Sequence, residues 1–297
     1  MALVFVFTIL YDRKIMLRNF FVLAMLPLAA LCQENWENPV RKLLKEGKPV
    51  IAGTVTIASP DVAAQMANMG FDLIWIEMEH SGITLETARN MILATRGLKA
   101  MPFIRVPVNE LWTAKRALDV GAIGVIFPFT STPELARQAA AATKYPPQGR
   151  RGFGPGLATF RWPSPEGYAA FANKNTMTVI IIEEERALEK VDEIAATPGI
   201  DVLFIGTSDL SQSLGVGGQL DHPKMKAALD KILAAGKKHG VPVGRPAGTP
   251  ELIKRYLAEG YLFIQGPADL NLLGGGAKPL LDTMGKSGID PKNRPLY

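Results

Sequence analysis

Eight short apolar runs recur along the chain after Asn35, and a stretch with the period of an amphipathic helix follows each of them. The runs are Val50–Ile57, Leu73–Met78, Met101–Val106, Gly124–Phe129, Thr178–Ile182, Val202–Ile205, Val241–Val243 and Leu262–Gln265. Runs that are apolar on both faces read as parallel strands covered on two sides. Eight of them alternating with helices predict an α/β fold, a closed (β/α)8 TIM barrel. A chain of 297 residues, 47% of them hydrophobic, suits one such domain.

The helices carry matching start signals. Ser59-Pro60-Asp61, Thr132-Pro133-Glu134 and Thr249-Pro250-Glu251 each offer a hydroxyl N-cap, a proline at the first helical position and an acid in the first turn. Gly70, Gly121 and Gly260 stand where helices should stop. No linker divides the barrel. The Pro- and Gly-rich stretch Tyr145–Tyr168 is too long for an ordinary connection and is expected to be an active-site loop.

The N-terminus is a separate matter. From Met16 it has the pattern of a secretory signal: Arg18 as n-region, Phe20–Leu31 as h-region, and Ala30-Leu31-Cys32 as a small-residue cleavage site before Gln33. Residues 1–32 are therefore assigned to a signal peptide or N-terminal extension, with Met1 or Met16 as the start, and residues 33–297 to the barrel. Export is expected, with retention in the cytoplasm as the alternative. The apolar run is short and broken by Pro27, so no stable membrane span is expected in the mature form. Cys32 is the only cysteine, which leaves the barrel without a disulfide framework or a thiol catalyst. The net charge of +5 is scattered, with no basic block, and argues against a nucleic-acid partner. It suits an anionic small substrate equally well.

The ends of the runs carry the polar groups that chemistry needs. The second ends in Glu79-His80, the third contains Arg105, the fifth leads into Glu183 and the sixth into Asp209. In a TIM barrel all of these converge on one rim. Two carboxylates with an open coordination sphere suit Mg²⁺ or Mn²⁺. Glu183 taken by itself reads better as the start of a solvated helix with Glu184, Glu185 and Arg186, and it is Asp209 that makes the metal reading worth weighing. Of the three histidines, His222 and His239 have local roles at helix ends, which leaves His80 as the general base. No run contains a lysine, so a Schiff-base mechanism is not expected. Backbone amides of Gly206-Thr207-Ser208 would hold a carboxylate or phosphate.

Six segments together resemble the HpcH/HpaI aldolase family: EMEH at 77–80, IRVP at 104–107, ALDVGAIGVIFP at 117–128, KYPPQGRRGFGP at 144–155, IEEERAL at 182–188 and LFIGTSDLS at 203–211. The resemblance covers roughly residues 40–285. It implies a metal-dependent, pyruvate-specific class II aldolase that cleaves a 4-hydroxy-2-oxo acid to pyruvate and an aldehyde. It further implies a barrel that exchanges its last helix between partners in a homo-oligomer, a hexamer or trimer. Carried over by motif, Glu183 and Asp209 would bind a divalent cation, Mg²⁺ or Mn²⁺, with Co²⁺ as a further candidate. His80 would be the base, with Asp119 of ALDVG as its supporting carboxylate, and Arg105 would stabilise the enolate oxygen. Ser208 and Asp209, beside Gly206, would present backbone amides to the pyruvyl carboxylate. Two positions depart from the pattern. Glu77 stands where relatives often have aspartate, and Ile181 where some have a glutamine that touches substrate. Rival expectations are oxaloacetate decarboxylation or macrophomate-synthase-like enolate chemistry at the same site, and a non-catalytic exported keto-acid-binding protein.

Overall fold

The computed structural model describes residues 36–286. The leader expected over residues 1–32 lies outside them. The described residues from Asn38 to Lys286 form one compact unit. Eight parallel strands pair in sequential order and close on themselves, β1 (Val50–Val55), β2 (Leu73–Glu77), β3 (Met101–Arg105), β4 (Gly124–Phe127), β5 (Met177–Ile182), β6 (Val202–Ile205), β7 (Val243–Pro246) and β8 (Phe263–Ala268). The expected (β/α)8 TIM barrel is the observed fold.

A first helix, α1 (Pro39–Lys45), precedes the barrel. Returning helices follow the strands, starting with α2 (Pro60–Asn68), α3 (Leu85–Ala94), α4 (Leu111–Asp119) and α5 (Pro133–Thr143). The chain then forms α6 (Gly156–Arg161) and α7 (Tyr168–Asn175) before β5, and α8 (Glu185–Glu189) and α9 (Val191–Ala195) before β6. The last four are α10 (Thr207–Ser213), α11 (Pro223–His239), α12 (Pro250–Glu259) and α13 (Asp269–Thr283). The three hydroxyl caps work as expected. Ser59, Thr132 and Thr249 accept from the amides of Val62, Leu135 and Leu252. Gly70, Gly121 and Gly260 have φ of 106°, 109° and 100°, the left-handed turn that ends a helix.

Alternation along the strands divides the apolar residues between two cores. Ile74, Ile76, Ile104, Val125, Ile180 and Ile182 pack outward against the helices. Trp75, Phe204 and Phe263 instead meet each other, with ring centroids 5.0 Å apart for the first pair and 6.2 Å for the second. These rings, with Phe103, make an aromatic plug beneath the site. Gly124 leaves the room for it, since a Cβ there would lie 2.3 Å from the Phe103 ring.

Two strand ends differ from expectation. β7 begins at Val243 rather than Val241, because Val241 still donates to Gly236 O of α11 and Pro242 has no amide to give a ladder. β4 stops at Phe127 rather than Phe129, because Phe129 turns to φ 48°. The Tyr145–Tyr168 stretch is the larger correction. Because α5 returns the chain to the N-terminal rim, this stretch lies on the face opposite the strand ends and is not a loop over them. It folds partly into α6 and is pinned there by Arg151, wholly buried against the Tyr145 and Tyr168 rings. Trp162 Nε1 adds a bond to Gly121 O at 3.0 Å.

Candidate active site

The C-terminal ends of β2, β3 and β5, with the first turn of α10, assemble a cluster of carboxylates around one arginine. Glu77 and Arg105 face each other in the β2–β3 register. Glu77 is buried and uses both oxygens fully. Its Oε1 accepts the amides of Glu79 at 2.8 Å and His80 at 3.0 Å. Its Oε2 accepts Trp75 Nε1 at 3.0 Å and Arg105 Nε at 2.5 Å. One buried carboxylate thus shapes the turn that carries Glu79 and His80 and also aims the guanidinium. The charge-assisted bond to Arg105 is the strong member of this set.

Arg105 Nη1 lies 3.1 Å from Glu79 Oε2, and His80 Nε2 lies 3.5 Å from the same oxygen. The two neighbours differ sharply in access: the Glu79 side chain is 7% exposed and the His80 ring 60%. Glu79 Oε2 is buried and accepts no hydrogen bond, since the ion pair with Arg105 has the distance but not the geometry of one. Burial pushes the Glu79 carboxyl up to about 7 against the pull of Arg105, and the charges of Glu77 and Asp209 push the same way.

Glu183 directly follows the last residue of β5, with its side chain buried inside the rim. Its Oε1 accepts the Phe129 amide at 2.5 Å. Burial raises it to about 7, opposed first by that amide and reinforced by the charges of Glu79 and Asp209. Gly206 lies directly against it: a Cβ on Gly206 would sit 2.7 Å from Glu183 Oε2 and 3.0 Å from Ile181 Cγ2. The structure therefore brings Glu183, Ile181 and Gly206 into contact. It sets Ser208 and Asp209 one turn further on, in the first turn of α10. Ile181 is fully buried and presents hydrocarbon to this wall.

Asp119 is not brought to this cluster by its own chain. It ends α4, at the opposite rim from the end of β3, and its Oδ1 accepts Arg151 Nη2 at 2.7 Å. The other two histidines keep the local roles expected of them. His222 caps α11 through Nδ1, 3.2 Å from the Lys224 amide, and His239 Nε2 stands 3.0 Å from Asp192.

No three histidine, cysteine, aspartate or glutamate side chains among the described residues are grouped so as to hold a metal by themselves. Glu183 and Asp209 would supply two oxygens and leave the other positions to water and substrate, the usual habit of Mg²⁺. The cluster fits such an ion. Burial, reinforced by neighbouring carboxylates, holds the Glu79 and Glu183 carboxyls near 7, and Glu79 Oε2 has no hydrogen-bond donor. A cation there would relieve both.

Sequence reasoning missed two parts of this arrangement. Glu77 was visible as an acid inside an apolar run, but its bond to Arg105 depends on the β2–β3 register. The Phe129 amide has no sequence signal, because nothing in Pro128-Phe129-Thr130 marks a left-handed residue.

The profile of the HpcH/HpaI aldolase/citrate lyase family matches residues 55–274, a span that holds every residue of the cluster. The chain belongs to this family. Among HpcH/HpaI relatives, the 2-dehydro-3,6-dideoxy-6-sulfogluconate aldolase of Pseudomonas putida is 36% identical over 239 residues, 80% of this chain and 94% of that protein. The 5-keto-4-deoxy-D-glucarate aldolase of Salmonella arizonae is 35% identical over 230 residues, 77% of this chain and 90% of that protein. The crystal structure of an HpcH/HpaI family protein from Burkholderia cenocepacia superposes with a TM-score of 0.77 at 32% identity, covering 84% of this chain and 99% of that one. This barrel is accordingly an aldolase/lyase of the HpcH/HpaI family.

Proposed function

We propose that this HpcH/HpaI aldolase is a class II, divalent-metal-dependent enzyme that cleaves a 4-hydroxy-2-oxo acid to pyruvate and an aldehyde. The observation that carries the reading is the cluster itself: Arg105, held by Glu77 and Glu79, faces the same rim as Glu183 and Asp209. In cleavage the 4-hydroxyl loses its proton, the C3–C4 bond breaks, and the electron pair moves into a C2–C3 enolate. A divalent cation on Glu183 and Asp209 would supply positive charge next to the developing enolate oxygen.

The chain's own groups have distinct tasks in this scheme. His80, the exposed imidazole at the rim, takes the hydroxyl proton. Arg105 donates to the enolate oxygen, and its two carboxylate partners keep it from swinging to solvent. The amides of Ser208 and Asp209 receive the substrate carboxylate, and Gly206 keeps the approach open. Ile181 supports the pyruvyl group by contact alone. Asp119 would act on His80 only from another copy of the chain, because its own chain holds it at the far rim.

Both relatives described above are named as aldolases of dehydro- or keto-deoxy sugar acids, so the proposed substrate is an acid of that type. A homo-oligomer, a hexamer or trimer, is part of the proposal. The last helix, α13, leaves Leu270, Leu273 and Leu280 more than 60% exposed, as is its C-cap Met284, and suits a second copy.

Pyruvate release from a panel of 4-hydroxy-2-oxo acids, with oxaloacetate included, tests the reading. Release with Mg²⁺ or Mn²⁺, and its loss in Asp209→Ala, are the expected results. Turnover of oxaloacetate alone, or full activity in Asp209→Ala, would overturn it.

A further inference from the structure

The ladder between β4 and β5 ends at Phe127 opposite Ile180, yet the two segments stay joined for three more residues. Phe129 N–H donates to Glu183 Oε1 at 2.5 Å, Thr130 N–H to Ile181 O at 3.3 Å, and Ser131 Oγ–H to the Glu184 carboxylate. Two of these three bonds end on side chains, and one of those side chains is Glu183.

Phe129 reaches it through a backbone conformation that L side chains rarely adopt. Its φ is 48°, and it is the one non-glycine residue with positive φ among those described. The turn around it is fixed from several sides. Ser131 N–H donates to Phe129 O at 3.0 Å, and Thr130 Oγ1 accepts Asn109 Nδ2 at 3.1 Å. Such over-determination is what holds an unfavourable backbone in place, and residues held so cluster at functional sites. The ring is not what keeps the turn, since Phe129 remains 44% exposed. What the turn delivers to the site is the amide.

We propose that Phe129 is a positioning residue for Glu183: its left-handed backbone aims one N–H at Oε1, so that Oε2 is the oxygen left for a divalent cation. Gly206 closes the grip from the other side, with its Cα backbone against Oε2 and no Cβ to cover it. Held between an amide and a bare glycine, the carboxylate has one rotamer and one free oxygen. The assignment rests on the metal reading of the proposed function. It adds the residue that orients the ligand, which neither the motif nor the strand register shows.

Two substitutions separate backbone from side chain. Phe129→Val and Phe129→Gly both remove the ring, but a β-branched residue resists positive φ and glycine adopts it freely. Mn²⁺ binding to the purified full chain is measured by calorimetry, with circular dichroism as the check of folding. Loss of a partner that orients a ligand typically costs about 10–100-fold in metal affinity. Phe129→Val should bind Mn²⁺ weaker than the unaltered chain by that factor, and Phe129→Gly at least about tenfold tighter than Phe129→Val. Equal affinities in the two folded variants overturn the role of Phe129. Should Phe129→Val fail to fold, replacing the Phe129 amide by the ester of phenyllactic acid removes only the N–H. An unchanged Mn²⁺ affinity there overturns the proposal in the same way. An unaltered chain that binds no Mn²⁺ refutes the metal reading itself, a result distinct from either of these.

Discussion

At the scale of single residues, Glu77 carries more of the site than its place outside the mechanism suggests. It is a buried carboxylate with four donors, and two of them set the positions of the proposed base and the proposed enolate donor. Glu77→Ala would leave Arg105, whose side chain is 14% exposed, beside one remaining carboxylate, and breaking a fully buried pair typically costs about 3–5 kcal/mol, the upper limit for this one. Thermal unfolding should report that loss, while Glu77→Asp, which keeps the charge but shortens the reach, should cost activity more than stability. The raised carboxyls give a second expectation. Folding favours protons on Glu79 and Glu183 between their ordinary value of 4.5 and about 7. Stability without metal should therefore be greatest at the acid end of that window and fall as pH rises through it, by on the order of 1 kcal/mol per group after allowance for solvent at the rim. Cation binding must expel the same protons, so affinity should climb with pH and level off near 7. Melting of metal-free wild type against Glu183→Gln across this window checks the sign. Identical slopes in the two would contradict it. Residue types at the strand ends were readable because acids and a histidine interrupting apolar runs are anomalous there. Which oxygen each would engage was not readable, because that depends on register and on one left-handed turn.

At the scale of elements, local chemistry was the most legible part of the chain. A hydroxyl followed by proline and an acid has few uses other than starting a helix, and all three such triplets do so. Thr249→Ala should lower stability by about 1 kcal/mol with no change in turnover, measured by denaturant unfolding. Long connections were less legible. Tyr145–Tyr168 has the composition of a mobile loop, but Arg151 and Trp162 anchor it to the far rim. A buried arginine stacked on two tyrosines is a tertiary arrangement, and nothing in local sequence reports it. β7 shifted by two residues for a similar reason, since the end of α11 competes for the Val241 amide.

At the scale of the whole molecule, α13 is the element least explained by its own chain. It contains Gly274, Gly275, Gly276 and Pro279, and only Asp269 among its residues is buried. Glycine costs about 1 kcal/mol and proline about 3 kcal/mol in a helix interior, so this segment needs a partner to persist as a helix. Leu273→Asp with Leu280→Asp should shift the sedimentation coefficient to that of a smaller species. An unchanged coefficient would remove α13 from the assembly contact. We also propose export, on the pattern of residues 18–32. Fractionation and N-terminal sequencing of protein expressed from the native start should find Gln33 or a close neighbour first, and an intact Met1 or Met16 on cytoplasmic protein would refute it. Among the described residues no helix is long and apolar enough to cross a membrane.

The central claim, a pyruvate enolate stabilised by Arg105 beside a metal on Glu183 and Asp209, does not depend on knowing the aldehyde. Deuterium exchange into the methyl group of pyruvate, followed by mass spectrometry in D2O, reads it directly. The account predicts exchange with Mg²⁺, none after chelation or in Asp209→Ala, and a fall of about 10²–10³ in Arg105→Ala. Exchange that persists at full rate through chelation and through both substitutions would contradict it.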